Sequence, residues 1–223
     1  MKIDTNILES SRKFVEHKIV SGNTEDITAI MFEYLMAGNG LFIRAKRREF
    51  SVCLPVCSQP IKGLLNSNSG IVWHKPKIPV GIWEEILSEA RWANDFTKFK
   101  EDVFVVFWHE ESCEWRWKRI SRERKKAATI ADDTLEEYGE ACIELHTHPK
   151  GANHFSPADD ADERGKFRIF GILTGIHSIF PKLRFRCGVY DHFFQIPVDF
   201  VSEMPRGFID LNREVQTFGS DAR

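Results

Sequence analysis

The apolar positions of the chain change period along its length. Between Ala29 and Cys57 they fall in three short runs, "AIMFEYLMA", "LFIRAKR" and "EFSVCLPVC". The first two flank Gly38-Asn39-Gly40, a tight-turn signal, so residues 29–56 predict a β-hairpin followed by a third strand. The Asn-, Ser- and Gly-rich "LLNSNSG" (64–70) and the Pro-bearing "HKPKIP" (74–79) then break the pattern and mark a boundary. Past Pro79, the residues Ile82, Trp83, Ile86, Leu87, Ala90 and Ala93 recur at helical spacing, and an amphipathic helix is expected over 81–94. "EDVFVVFW" (101–108) reads as a buried strand, and "CEWRWKRI" (113–120) pairs back on it through the turn "HEES". "ACIELHTH" (141–148) is a further strand, closed by Pro149. "FRIFGILTG" (167–175) and "LRFRCGVYDHFFQI" (183–196) give two more strands or a strand pair. This order describes an α+β chain with a mixed sheet. It divides into an N-terminal β-rich module (1–79), a main domain (80–200) and a C-terminal extension (201–223) whose end, "QTFGSDAR", reads as a frayed tail.

Composition narrows the function classes. With 223 residues, 42% of them hydrophobic and including 18 Phe and 6 Trp, the chain can fill a sizeable core. A net charge of −2 gives no global attraction to nucleic acid or to an anionic membrane. The basic run "RWKRISRERKK" (116–126) reads as a solvated strand end and loop. The start, "MKIDTNILESSRKFVEHKIV", has no uninterrupted apolar core of a signal peptide, and "VFVVFW" is too short to span a bilayer. Five cysteines with no CxxC pair suit reduced thiols and a cytoplasmic location.

The chemistry concentrates in "IELHTHPKGANHFSPADDADE" (143–163). Side chains two apart on a strand share a face, so His146 and His148 point the same way. Ser156-Pro157 then suits a helix start, with Ser156 as N-cap, Pro157 first in the helix and Asp159 third. A loop of this length can fold back, which lets Asp159 reach the ion that both imidazoles face. Two imidazoles and one carboxylate leave a fourth tetrahedral position for water, the composition of a catalytic zinc site. S-x-x-D is equally a plain capping box, and an isolated HxH is weak on its own. The specificity lies in the conjunction: H-x-H-P, then Ser eight residues after His148 and Asp three further on. His154 falls in the intervening loop and is expected to be solvent exposed, and Asp160, Asp162 and Glu163 read as helix N-terminal charges.

"HTHPKGANHFSPAD" resembles the JAMM motif of MPN+ metalloproteases and deubiquitinating enzymes, with every signature position filled. The resemblance implies a JAMM/MPN-like mixed β-sheet flanked by helices, with a cytidine-deaminase-like architecture. It implies one Zn²⁺ per chain held by His146, His148 and Asp159, with Ser156 supporting the oxyanion. The family's upstream glutamate, the general base, matches Glu101 at the head of "EDVFVVFW", although the glycine usual a few residues later is absent here. Glu144 is a rival, because period 2 sets it on the face of His146. Beyond the motif, "MAGNGLFIRAKR", "FSPADDADERGKFRIFGIL" and "RFRCGVYDHFFQIP" are similar to the PRTRC system protein A group of mobile-element proteins. That likeness implies a ubiquitin-like protein or its conjugate as substrate and an activating-enzyme-like partner.

Two functions follow. One is a zinc peptidase or isopeptidase that trims or releases a ubiquitin-like protein. The other is an MPN-like scaffold or binding module that keeps the metal for stability. Other hydrolase signatures (HExxH, HxHxDH, HxE…PCxxC) are missing, no stretch suggests a Cys–His nucleophile, and an HxH-bearing barrel would need about 250 residues.

Overall fold

The structure is a computed structural model that describes residues 13–22, 26–94, 99–120, 122–125, 128–131 and 136–216. The expected tail "QTFGSDAR" lies outside the described residues apart from its first, and most of the chain start does too. Two compact units divide between Lys75 and Pro76.

The first unit is a five-stranded sheet in sequential order. Its strands are β1 (Val15–Ile19), β2 (Phe32–Ala37), β3 (Gly40–Lys46), β4 (Phe50–Cys57) and β5 (Gly70–Trp73). β2 and β3 form the hairpin that Gly38-Asn39-Gly40 foretold, and β4 is the third run. Gly40 takes φ +142° with Cys57 O only 2.2 Å from where a Cβ would sit, so a side chain has no room there. β1 and β5, which the sequence pattern did not single out, are half-exposed strands whose apolar residues alternate weakly.

Glu33 on β2 is fully buried and gathers charge around it. Its Oε2 accepts from Arg44 Nε at 2.5 Å, and its Oε1 accepts from the Thr28 amide at 2.8 Å and lies 2.9 Å from Lys18 Nζ. Burial alone would raise its pKa. The Lys18 contact, the Thr28 and Ala29 amides and Arg44 together hold it down at about 2.

The second unit is built on a mixed sheet of order β13-β12-β11-β10-β6-β7. Its strands are β6 (Val103–His109), β7 (Glu114–Ile120), β10 (Ile143–His148), β11 (Phe167–Thr174), β12 (Lys182–Val189) and β13 (His192–Ile196). β10 and β11 run parallel and the other neighbours in this order are antiparallel. A short ribbon, β8 (Arg122–Lys125) with β9 (Ala128–Ala131), stands apart. The helices are α1 (Val80–Ala93), α2 (Glu136–Glu140), α3 (Pro157–Glu163), α4 (Val198–Val201) and α5 (Leu211–Gln216). The segment after residue 200, expected as an extension, joins this sheet: β14 (Ile209–Asp210) pairs with β12, and Ser202 bridges to Ile78.

Each face of the sheet has a distinct job. α1 buries Ile82, Trp83, Ile86, Leu87 and Ala90, and Trp83 meets the ring of Phe185 at 5.6 Å. On that face a Cβ at Gly171 would meet Leu145 Cδ1 and Phe185 at 2.7 Å, so glycine is what lets β10 and β12 pack across β11. The opposite face carries His146 and His148 together with Glu144, Arg168 and Arg186, as the registers of β10, β11 and β12 require. The basic residues of β7 are engaged locally: Arg116 with Glu114, Lys118 with Glu137, and Arg119 with Glu89 and Asp102. Among the described residues no helix is long and apolar enough to cross a membrane. All five cysteines are free thiols.

Because the folded pKa of Glu33 lies below its unfolded value of about 4.5, its ionised form stabilises the fold above that pH. This contribution is expected to fade as pH falls from about 4.5 to about 2. Glu33→Gln should cost roughly 2–3 kcal/mol at pH 7 and flatten the acid limb. Urea unfolding across pH checks both, and an unchanged acid limb in the variant would refute the assignment.

Candidate metal centre

β10 is fully buried along its length, and the two histidines share its polar face. Their Nε2 atoms lie 2.9 Å apart with rings tilted by 54°. Pro149 ends the strand, and its carbonyl is held by the hydroxyl of Thr174 at 2.9 Å and by the amide of Ala152 at 3.0 Å. The chain turns through Gly151 at φ +94°, a conformation that glycine adopts without strain. That turn brings the carbonyl of Ala152 to 3.1 Å from His148 Nδ1. A carbonyl can only accept, so Nδ1 carries the proton and the Nε2 lone pair of the neutral ring faces His146.

The loop then enters α3 through a full capping box. Ser156 Oγ accepts from the Asp159 amide at 3.2 Å, and the Ser156 amide donates to Asp159 Oδ2 at 2.5 Å, with Pro157 at the helix start. The box orients the Asp159 carboxylate as well as starting the helix. Its Oδ1 lies 3.2 Å from His146 Nε2, and its Oδ2 lies 3.5 Å from His148 Nε2. One ligand atom from each of His146, His148 and Asp159 falls within 4.8 Å of the others. Burial opposes ionisation of Asp159, but the two imidazoles hold its pKa far below the usual carboxylate range. Burial would also lower the pKa of His148. The Asp159 carboxylate outweighs this and raises it, helped by the Ala152 carbonyl and the charge of Glu101.

These donors suit a divalent cation such as zinc. Two imidazoles, one with its tautomer fixed by a carbonyl, and one oriented carboxylate are the nitrogen and oxygen set such an ion takes in an open site. The Ser156 oxygen is used by the cap through a lone pair, which leaves its O–H free to donate towards a ligand.

Glu101 is exposed, two residues ahead of β6. The register pairs Val103 with His146. Next to it, the Asp102 amide donates to Thr147 Oγ1 at 2.9 Å, and the Asp102 carbonyl accepts from the Thr147 amide at 2.9 Å. Glu101 lies one residue further out, and its charge helps raise the pKa of His148. Its neighbours are pinned. The Lys100 amide donates to Asn94 Oδ1 at 2.6 Å, and the Asp102 carboxylate takes Arg119 Nη2 at 2.6 Å and Asn94 Nδ2 at 2.8 Å.

Glu144 shares that face but is occupied. Its Oε2 receives Tyr138 Oη at 2.9 Å and Arg168 Nη1 at 3.1 Å, with Lys166 Nζ at 3.4 Å. It is a buried counter-ion for two cations rather than a carboxylate open to solvent. His154 is exposed, as expected. Of the three other α3 acids, Asp160 and Glu163 bind Arg186, a role that residue spacing did not reveal. The alternation in "LRFRC" was the available signal, since it sets Arg184 and Arg186 on one face of a buried strand.

A cleft of about 300 Å³ opens beside His148, lined by Phe99, Pro149, Lys150, Ile176 and His177 among others. Residues 84–187 match the family described as prokaryotic homologs of the JAB domain, a span that runs from α1 through β12 and includes the three clustered ligand groups. No curated protein matches the chain.

Glu144→Gln is expected to destabilise the second unit by about 3 kcal/mol, because Arg168 and Lys166 lose their counter-charge. Chemical denaturation measures this. Wild-type stability in the variant would show that the carboxylate is not needed as a counter-ion.

Proposed function

We propose that the chain is a zinc-dependent hydrolase of the JAMM type that cleaves a peptide or isopeptide bond, with the C-terminus of a ubiquitin-like protein as its substrate. The observation that carries this reading is the convergence of His146, His148 and Asp159 on one point, with ligand atoms within 4.8 Å of one another. The likeness of residues 84–187 to JAB domains supports it. So does the bond from His148 Nδ1 to the Ala152 carbonyl, which in the neutral ring leaves the Nε2 lone pair facing the shared point.

In this reading His146, His148 and Asp159 hold the Zn²⁺. When bound, the ion supplies a lowered water pKa, from 15.7 towards about 7, and polarisation of the scissile carbonyl. Glu101 takes the proton of the attacking water and passes it to the departing amine. Its solvent-facing position suits that task, since a base must exchange protons between turnovers. Ser156 donates its hydroxyl to the carbonyl oxygen as negative charge grows there. The apolar cleft beside His148 receives the substrate residue next to the scissile bond, and Lys150 at its edge suits a substrate segment carrying a carboxylate. A partner of the activating-enzyme type and a place in a PRTRC-like system belong to the same reading, as does a cytoplasmic setting with reduced thiols.

The test is hydrolysis of ubiquitin-like fusions and conjugates by the purified chain, with zinc content measured in parallel. One zinc per chain and turnover that stops on chelation are expected. Glu101→Gln should reduce turnover about 10²–10⁴-fold while the zinc and the fold are retained. Stoichiometric zinc with no turnover on any such substrate would instead favour a scaffold. Wild-type turnover in the variant would remove Glu101 from the mechanism.

A further inference from the structure

α3 poses a docking problem. Its sequence, Pro-Ala-Asp-Asp-Ala-Asp-Glu, contains no large apolar side chain, and its one buried residue is Glu163. A seven-residue helix does not persist on its own, and hydrophobic burial cannot fix this one against the sheet. Yet Asp159 must be held within a few tenths of an ångström of its place to share a point with two imidazoles on another element.

Arg186 supplies the missing attachment. It projects from the middle of β12 on the face that carries the histidines, and its side chain is only 6% exposed. Its Nε donates to Glu163 Oε2 at 2.7 Å and its Nη2 lies 2.6 Å from the same oxygen. Its Nη1 donates to Asp160 Oδ1 at 2.6 Å. Asp160 and Glu163 are three apart and therefore neighbours on the helix surface, so one planar fork grips the face beside Asp159. The faces of the guanidinium are used too. Cζ sits 3.8 Å from the centre of the Phe155 ring and 4.1 Å from that of Phe193. Phe155 in turn meets His146 edge-on at 6.1 Å. One side chain thus ties together α3, the last residue before its cap and, through Phe155, the first imidazole.

We propose that Arg186 is a positioning residue for the metal centre, fixing the carboxylate of Asp159 and the ring of His146 through α3 and Phe155. This inference rests on the metal reading above. The experiment follows Zn²⁺ affinity of the full chain by competition with a chromophoric chelator, and the visible spectrum of the Co²⁺-loaded protein. It compares wild type, Arg186→Met, Arg186→Lys and Asp160→Asn well below their unfolding temperatures.

Arg186→Met is expected to weaken Zn²⁺ binding about 10–100-fold and to change the Co²⁺ bands. Arg186→Lys should recover only part of the affinity, because an ammonium keeps the charge but cannot fork to both carboxylates or stack on both rings. Asp160→Asn removes one bond at a half-exposed position, so the chain should fold normally and lose affinity by a smaller factor. If Arg186→Met fails to fold, the lysine and Asp160 variants decide. Folded variants with wild-type affinity and an unchanged Co²⁺ spectrum would overturn the role of Arg186. A wild-type chain that takes up neither ion would overturn the metal reading itself, an outcome seen before any variant is compared.

Discussion

Two imidazole nitrogens 2.9 Å apart, buried on one strand, cannot both present lone pairs without a positive charge or a proton between them. That requirement organises the second unit. His148 gives its other nitrogen to a backbone carbonyl, so in the neutral ring its inward nitrogen is the acceptor. Asp159 then brings a carboxylate to within 3.2–3.5 Å of both rings. Two imidazoles and a carboxylate whose ligand atoms lie within 4.8 Å of one another are a nitrogen and oxygen set that suits a divalent cation.

Holding such a cluster requires rigid support on both faces of β10. On the side away from the histidines, Leu145 packs over Gly171 against Phe185, and α1 closes that layer with Trp83. On the histidine side the filling is polar: Glu144 with Tyr138, Lys166 and Arg168, and the α3 acids with Arg186. Buried ion pairs contribute little net stability but are costly to break, so they act as locators more than as glue. This explains how a helix with almost no apolar surface can present Asp159 reproducibly. It also separates the carboxylates by role: Glu144 is an enclosed counter-ion, Glu163 is an enclosed carboxyl whose pKa burial pushes up to about 9 despite Arg186, and Glu101 stands at the solvent edge between two pinned neighbours.

Much of this was legible in the chain. The Gly-Asn-Gly hairpin, the helix from Val80 to Ala93 and the strand closed by Pro149 follow from short-range pattern, and their boundaries moved by one to three residues. The cap at Ser156 was equally local, since its four residues contain both partners of the box. β1, β5 and the return of residues 198–216 to the sheet were not legible. Their residues are half-exposed or too few to set a period, and their partners are distant in sequence.

By itself the sequence determined the donors and their spacing: two histidines on one face of a strand, and a carboxylate at the third position of a capped helix. Local geometry dictates both, because a strand repeats every two residues and a capping box spans four. Only the tertiary structure decided which carboxylates remain available and what carries the helix to the strand. Those answers depend on Arg168 and Arg186, which lie 24 and 26 residues from the groups they bind, Glu144 and Asp160. Charge pairing at that separation leaves no period in the chain, and it becomes definite only when neighbouring strands fall into register.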